Sequence, residues 1–111
     1  MAKYLLIESR DPYEFADADY FYDVAADLSR AGNEVAFFLI QNGVLVSRRG
    51  AQGHKLAALQ KAGSKMQVIA DEFSLRERGI VASDLAPGVN VSGIDTLVDL
   101  LVDDGRKAVW H

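Results

Sequence analysis

The chain contains no cysteine. That absence removes disulfides, thiolate nucleophiles, thiol redox chemistry and cysteine-ligated zinc. It leaves the compartment open, because a reducing cytosol permits cysteine without requiring it. Histidine is nearly as scarce. His54 and His111 are the only two, and neither has a second imidazole at helical spacing. A metal site would need one of them plus carboxylates, and no spacing gathers such a set. Both read as surface residues, and neither a metal nor a cofactor is expected. No apolar run is long enough to cross a membrane as a helix. The apolar segment of "MAKYLLIESR" is too short for a signal peptide and meets charge at once, so a cytoplasmic location is expected. An excess of positive charge is missing too. Twelve basic against sixteen acidic side chains leave a net charge of −4. Nucleic-acid binding needs the opposite, clustered positive charge that releases counterions. Arg48-Arg49, with Lys55 and Lys61 further on, reads as solvated surface. No nucleic-acid or membrane partner is expected.

What remains fits one soluble domain over residues 1–111. Half the residues are hydrophobic and a quarter are charged, the ordinary balance of a globular core and its surface. A chain of this length buries roughly two-thirds of its unfolded surface, enough for a core without staples.

Short apolar runs alternate with helical periods. "KYLLIES" (3–9) is too short for a helix and predicts a buried strand. Asp11-Pro12 marks a turn. A helix follows from about Ala16 to Ala31, with Phe21, Val24, Ala25 and Leu28 on one face and Gly32 as its stop. Asp19, Asp23 and Asp27 form an acidic stripe on another face. "EVAFFLIQ" (34–41) has the continuous apolar character of a strand covered on both sides. "NGVLVSRRGAQG" predicts a loop with one short helical turn. "HKLAALQKAG" predicts a helix with Leu56 and Leu59 inward, and "KMQVIA" a third strand. "DEFSLRERG" predicts one or two helical turns ending at Gly79. A short extended piece and a Pro87-Gly88 turn come next. "SGIDTLVDLLVDDG" is the clearest helix. Ser92 and Asp95 make a capping-box-like start, and Ile94, Leu97, Val98 and Leu101 form its apolar face. "KAVWH" predicts a last strand. Helix-length crossovers between strands imply an α/β class, a three-layer α/β/α sandwich around a mainly parallel sheet of about five strands.

The loop after the first strand is where nucleotide-binding α/β proteins place glycines. Here it holds none and carries five acids, Glu8, Asp11, Glu14, Asp17 and Asp19. Phosphate would meet repulsion there, which excludes flavin phosphate, dinucleotide and P-loop readings. "GAQGHK" (50–55) has the wrong spacing for a Walker motif. No serine sits in a nucleophile elbow, and Ser92 reads as a helix N-cap. Trp110 and the tyrosines default to core or interface packing.

One acidic pair remains, Asp71-Glu72, at the C-terminal end of the third strand. Ligand sites in parallel sheets sit at such ends, so the pair could act as general base or ligand contact. The alternative is Asp71 as helix N-cap, with Glu72 in the first turn beside Arg76. Capping chemistry favours the second.

Three stretches carry a resemblance over nearly the whole chain: "LSRAGNEVAFFLIQNGV" (28–44), "QVIADEFSLRERGI" (67–80), and "VNVSGIDTLVDLL" followed by "KAVW". Their order and spacing resemble the DsrE-like sulfur-relay family, which includes DsrE, DsrF and TusD-type subunits. The resemblance implies the sandwich fold and places the family's sulfur-carrying cysteine at Asp71, or at Ala70 if the short helix differs by one residue. Neither is a thiol, and a carboxylate cannot hold a persulfide. The resemblance therefore implies a cysteine-less, non-catalytic or partner-binding subunit linked to intracellular sulfur trafficking, without sulfurtransferase activity. It also implies a homo-oligomer, trimer or hexamer, or a hetero-oligomer with related subunits. Leu100, Val102, Phe37 and Phe38 would suit such an interface, though a sheet covered on both faces already explains the phenylalanine pair. The alternative function is a small-molecule binder or enzyme using Asp71 and Glu72 in the old cysteine pocket, with Arg10, Tyr13 and Ser92 as contributors.

Overall fold

A computed structural model describes residues 1–50 and 54–111, with only the backbone of His54. The strands are β1 (Lys3–Glu8), β2 (Glu34–Leu39), β3 (Met66–Asp71), β4 (Asn90–Ser92) and β5 (Arg106–Trp110). The helices are α1 (Ala18–Arg30), α2 (His54–Gln60), α3 (Glu72–Glu77) and α4 (Ile94–Val102). All five strands are parallel, in the order β4-β3-β2-β1-β5.

That order dictates the layers. From β1 to β4 the chain steps across the sheet in one direction. Right-handed crossovers then put α1, α2 and α3 on one face. The return from β4 to β5 runs the other way, so α4 crosses the opposite face. The core divides accordingly. Leu6, Phe37, Leu39 and Val68 point into a large cluster with Phe21, Tyr22, Leu56, Leu59 and Leu75. Leu5, Ile7, Phe38 and Ile69 point the other way into a small cluster closed by Leu97 of α4, with Ile40 and Leu100 packed against it.

Several expectations need correction. Phe37 and Phe38 are fully buried, one in each cluster. Strand alternation sends them to opposite faces of a covered sheet, so neither is available to a subunit interface. Leu100 is half-buried against the small cluster rather than free, whereas Val102 is exposed. The helix expected from Ala16 starts at Ala18, with Asp17 at its N-cap. Val24 is half exposed, and the inward face runs instead through Ala18, Phe21, Tyr22, Ala25, Ala26 and Ser29. Ser92 is not the N-cap of α4. It is the last residue of β4, and Gly93 caps the helix without a side-chain bond. The pairing of β4 with β3, which sets Ser92 beside Asp71, takes Ser92 into the sheet. The helix-starting signature was therefore displaced by a strand pairing that local spacing does not reveal. The loop after β2 holds a 3-10 segment, Gln41–Ser47, with Val44 and Val46 buried. The last residues of that loop, 51–53, and the surface reading of His54 lie outside the described residues.

Only one α4 position of the expected inward face is buried. Leu97 is enclosed, while Ile94, Val98 and Leu101 are 61%, 49% and 47% exposed. Leu97, with the half-buried Leu100, is what α4 sets against the sheet, and the rest of its apolar face turns outward. Among the described residues, no helix is long and apolar enough to cross a membrane.

Candidate functional site

The C-terminal ends of β1, β2 and β3 open onto a concavity of about 500 Å³. Asp71, Ser74, Gln41 and Arg78 supply polar groups, and Phe73, Ile94, Leu97 and Trp110 supply apolar walls. Among the described residues it holds no grouping of histidines and carboxylates suited to a metal ion.

Asp71 ends β3 in extended conformation and caps α3. Its Oδ2 accepts from the Ser74 backbone N–H at 2.9 Å and from the Ser74 hydroxyl at 2.6 Å. The Ser74 oxygen in turn accepts from the Gln41 backbone N–H at 2.8 Å. A short relay thus ties the end of β2 to the start of α3. Gln41 holds φ of 51° to reach it, a left-handed conformation costing a non-glycine residue roughly 1 kcal/mol. Arg78 closes the far side, with Nε donating to Asn42 Oδ1 at 3.1 Å and NH1 to the Ser74 carbonyl at 3.1 Å.

Glu72 points outward and pairs with Arg76 at 2.9 Å. It lines a neighbouring hollow with Asp71 and Gly93. Ser92 lies beside Asp71 in the sheet register. The structure therefore brings Asp71, Glu72 and Ser92 into one neighbourhood. Arg10 and Tyr13 go elsewhere. The Arg10 guanidinium sits 3.8 Å from Asp17 and over the Phe15 ring. Tyr13 lines a separate hollow of about 190 Å³ with Tyr22 and Lys55.

The acids of the first loop build scaffold. Asp11 is buried and its Oδ1 accepts from the N–H groups of Tyr13 and Glu14, both at 2.9 Å. Glu8 is fully enclosed, accepting from the Arg10 N–H at 3.0 Å and facing His111 Nδ1 at 2.9 and 3.0 Å. His111 Nε2 lies 3.2 Å from Asp17 Oδ2. Burial pushes the Glu8 carboxyl up, only partly offset by the Arg10 N–H and His111. Burial acts to lower the His111 imidazole, but the hydrogen bonds to Glu8 and Asp17 outweigh it and hold it above its ordinary value. The surface reading of His111 is thus overturned: the ring is inserted between two carboxylates and stacked on Phe21 at 5.2 Å.

Sequence reasoning missed Gln41, Ser74, Arg78 and the Glu8–His111–Asp17 cluster. An Asp at the N-cap with Ser three residues later was a readable signal for Ser74. Nothing local could join Glu8 to a residue 103 positions away.

The sequence matches the model of the DsrE/DsrF-like family over residues 2–109. The chain belongs to the DsrE/DsrF-like family. Solved structures agree on its fold. The ychN protein from E. coli superposes with a TM-score of 0.85 at 20% identity, covering 100% of each chain. A protein of unknown function, MTH1491 from Methanobacterium thermoautotrophicum, gives 0.80 at 19% identity, again covering 100% of each. BT1422 from Bacteroides thetaiotaomicron, also of unknown function, gives 0.75 at 15% identity, covering 98% of this chain and 95% of its own. No curated protein matches the chain significantly. This DsrE-like chain differs from the sulfur-carrier pattern in one decisive respect: it has no thiol at all.

Proposed function

We propose that this DsrE-like protein is a non-catalytic, partner-binding subunit of cytosolic sulfur trafficking. The observation that carries the docking role is one exposed apolar surface. Ile94, Val98, Leu101 and Val102 of α4 are exposed, and the exposed Trp110 of the edge strand β5 pairs in register with Ile7 on the same sheet face and lines the concavity with Ile94. Contiguous apolar surface of this kind marks an interaction site in a soluble protein. Two features support the non-catalytic half. No thiol is present, and one oxygen of Asp71, at the position the resemblance gives to the carrier cysteine, is committed to capping α3. The assembly is a trimer or hexamer of this chain, or a mixed oligomer with related subunits.

The test is native mass measurement and co-purification from the protein's own host. A mixed assembly with a cysteine-bearing relative, or with a sulfur-carrier protein, supports the heteromeric form. A homo-oligomer alone removes that form, and a monomer removes the proposal. A second reading, a small-molecule site at Asp71, has the 500 Å³ concavity and the left-handed Gln41 in its favour. It fails if Asp71→Ala changes stability only and displaces no co-purifying ligand.

A further inference from the structure

We propose that Glu8, His111 and Asp17 form a protonation-controlled latch. It joins the end of β5 to the start of α1 beside the concavity, and is closed while His111 is an imidazolium. With both carboxylates ionised, the geometry requires this. Both ring nitrogens face carboxylate oxygens, Nδ1 toward Glu8 and Nε2 toward Asp17. An ionised carboxylate only accepts, so both nitrogens must donate, and only the doubly protonated ring can do so. A neutral ring with its proton on Nδ1 keeps Glu8 and turns a lone pair toward Asp17. That side of the latch then opens.

The groups around the ring fit a switch rather than a permanent clamp. From β1, Glu8 is fully enclosed, so it cannot move away to water when the cation is lost. From α1, Asp17 is about half exposed and is free to swing. From the loop between them, Arg10 NH1 lies 3.8 Å from Asp17 Oδ2 and stands ready to take it over. Phe21 supplies the stacked ring on the α1 side, and Tyr22, buried on the same helix, feels the Glu8 charge. Both the Glu8 carboxyl and the His111 imidazole are held above their ordinary values, so the range in which one is ionised and the other protonated is displaced upward in pH.

The latch reaches the concavity through its backbone neighbours. The His111 carbonyl accepts from the Ser9 N–H at 2.9 Å and from the Ser9 hydroxyl at 3.0 Å. The Trp110 indole N–H donates to that same Ser9 oxygen at 3.3 Å. Ser9 and Trp110 both line the concavity. Opening therefore alters the setting of a residue on the exposed apolar surface. A pH dependence of docking rests on the function proposed above; the latch itself does not.

Two sparse residue types make the test clean. Trp110 is the only tryptophan, and His54→Gln leaves His111 the only imidazole. The imidazole of that variant is titrated by NMR while Trp110 emission is followed over the same pH range. The expected midpoint lies above the ordinary value of 6.5, moves down in Asp17→Asn and Glu8→Gln, and coincides with a change in Trp110 emission. A midpoint at or below 6.5, or one unmoved by Asp17→Asn, overturns the latch. Flat emission through the titration overturns its link to the concavity. Asp17→Asn, at an exposed position, keeps the test decisive if Glu8→Gln does not fold. Oligomer mass on the same samples separates the two ideas: a monomer with the expected titration removes the docking function alone, and an oligomer with an unshifted His111 removes the latch alone.

Discussion

Replacing Asp71 by alanine separates a structural carboxylate from a working one. The Asp71 side chain makes two hydrogen bonds, both to Ser74 and both buried. Loss of an N-cap costs about 1 kcal/mol. The bond from the Ser74 hydroxyl adds roughly another 1 kcal/mol, because it leaves a hydroxyl without its acceptor in a closed spot. The expected cost of Asp71→Ala is therefore about 2 kcal/mol, or about 8 °C in Tm for a chain of this size. Asp71→Asn keeps an acceptor at the cap and should stay within ~0.5 kcal/mol of the parent. Ser74→Ala removes the same pair from the other side and strips the Gln41 N–H of its acceptor. In a double-mutant cycle Asp71→Ala and Ser74→Ala should couple by about 1 kcal/mol. The assay is urea unfolding at fixed protomer concentration, since assembly would make midpoints concentration-dependent. An Asp71→Ala protein within ~0.5 kcal/mol of the parent would refute the cap. So would Asp71→Asn losing as much as Asp71→Ala.

Gly43→Ala should be among the most damaging single-methyl changes, at about 3 kcal/mol, because its Cβ would collide with the Glu8 backbone carbonyl; thermal unfolding reads this directly. Leu97→Ala should cost 2–5 kcal/mol, since Leu97 is the α4 side chain that closes the smaller core cluster; urea midpoints check it. Stability should also depend on pH through His111. Its folded-state value is raised, so its contribution is complete below about 6.5 and is lost as pH rises through the folded-state midpoint. Denaturation midpoints of the parent should fall over that window, and those of His111→Gln should not show that fall.

Most of the order of elements was legible because β1, β2, β3, β5 and the helices carry their own local signals; β4, only three residues long, was legible only as a short extended piece before the last helix. "EVAFFLIQ" declares a doubly covered strand, and Phe21 and Ala25 of the expected α1 face are buried as its period requires. Where longer-range pairing competes with a local signal, the reading failed. Ser92 has the spacing of a helix cap, yet pairing with β3 takes it into the sheet. Ile94, Val98 and Leu101 have the spacing of a core face, yet most of that face meets solvent. Periodicity shows that a face is apolar, not what covers it. At the site, Asp71 was legible because capping is local. The relay through Ser74 to Gln41 and the carboxylates around His111 were not, because the topology brings them together from distant parts of the chain.

Assembly through the α4 and β5 surface is the central claim, and native mass spectrometry on the host-derived protein tests it most directly. Leu101→Asp, at a half-exposed position, is the paired control, because it charges the surface while costing little in the isolated protomer. The parent should run as a trimer, a hexamer or a mixed assembly, and Leu101→Asp should run as the single protomer. A parent protein that is itself a monomer at tens of micromolar, with no bound partner, would contradict the claim.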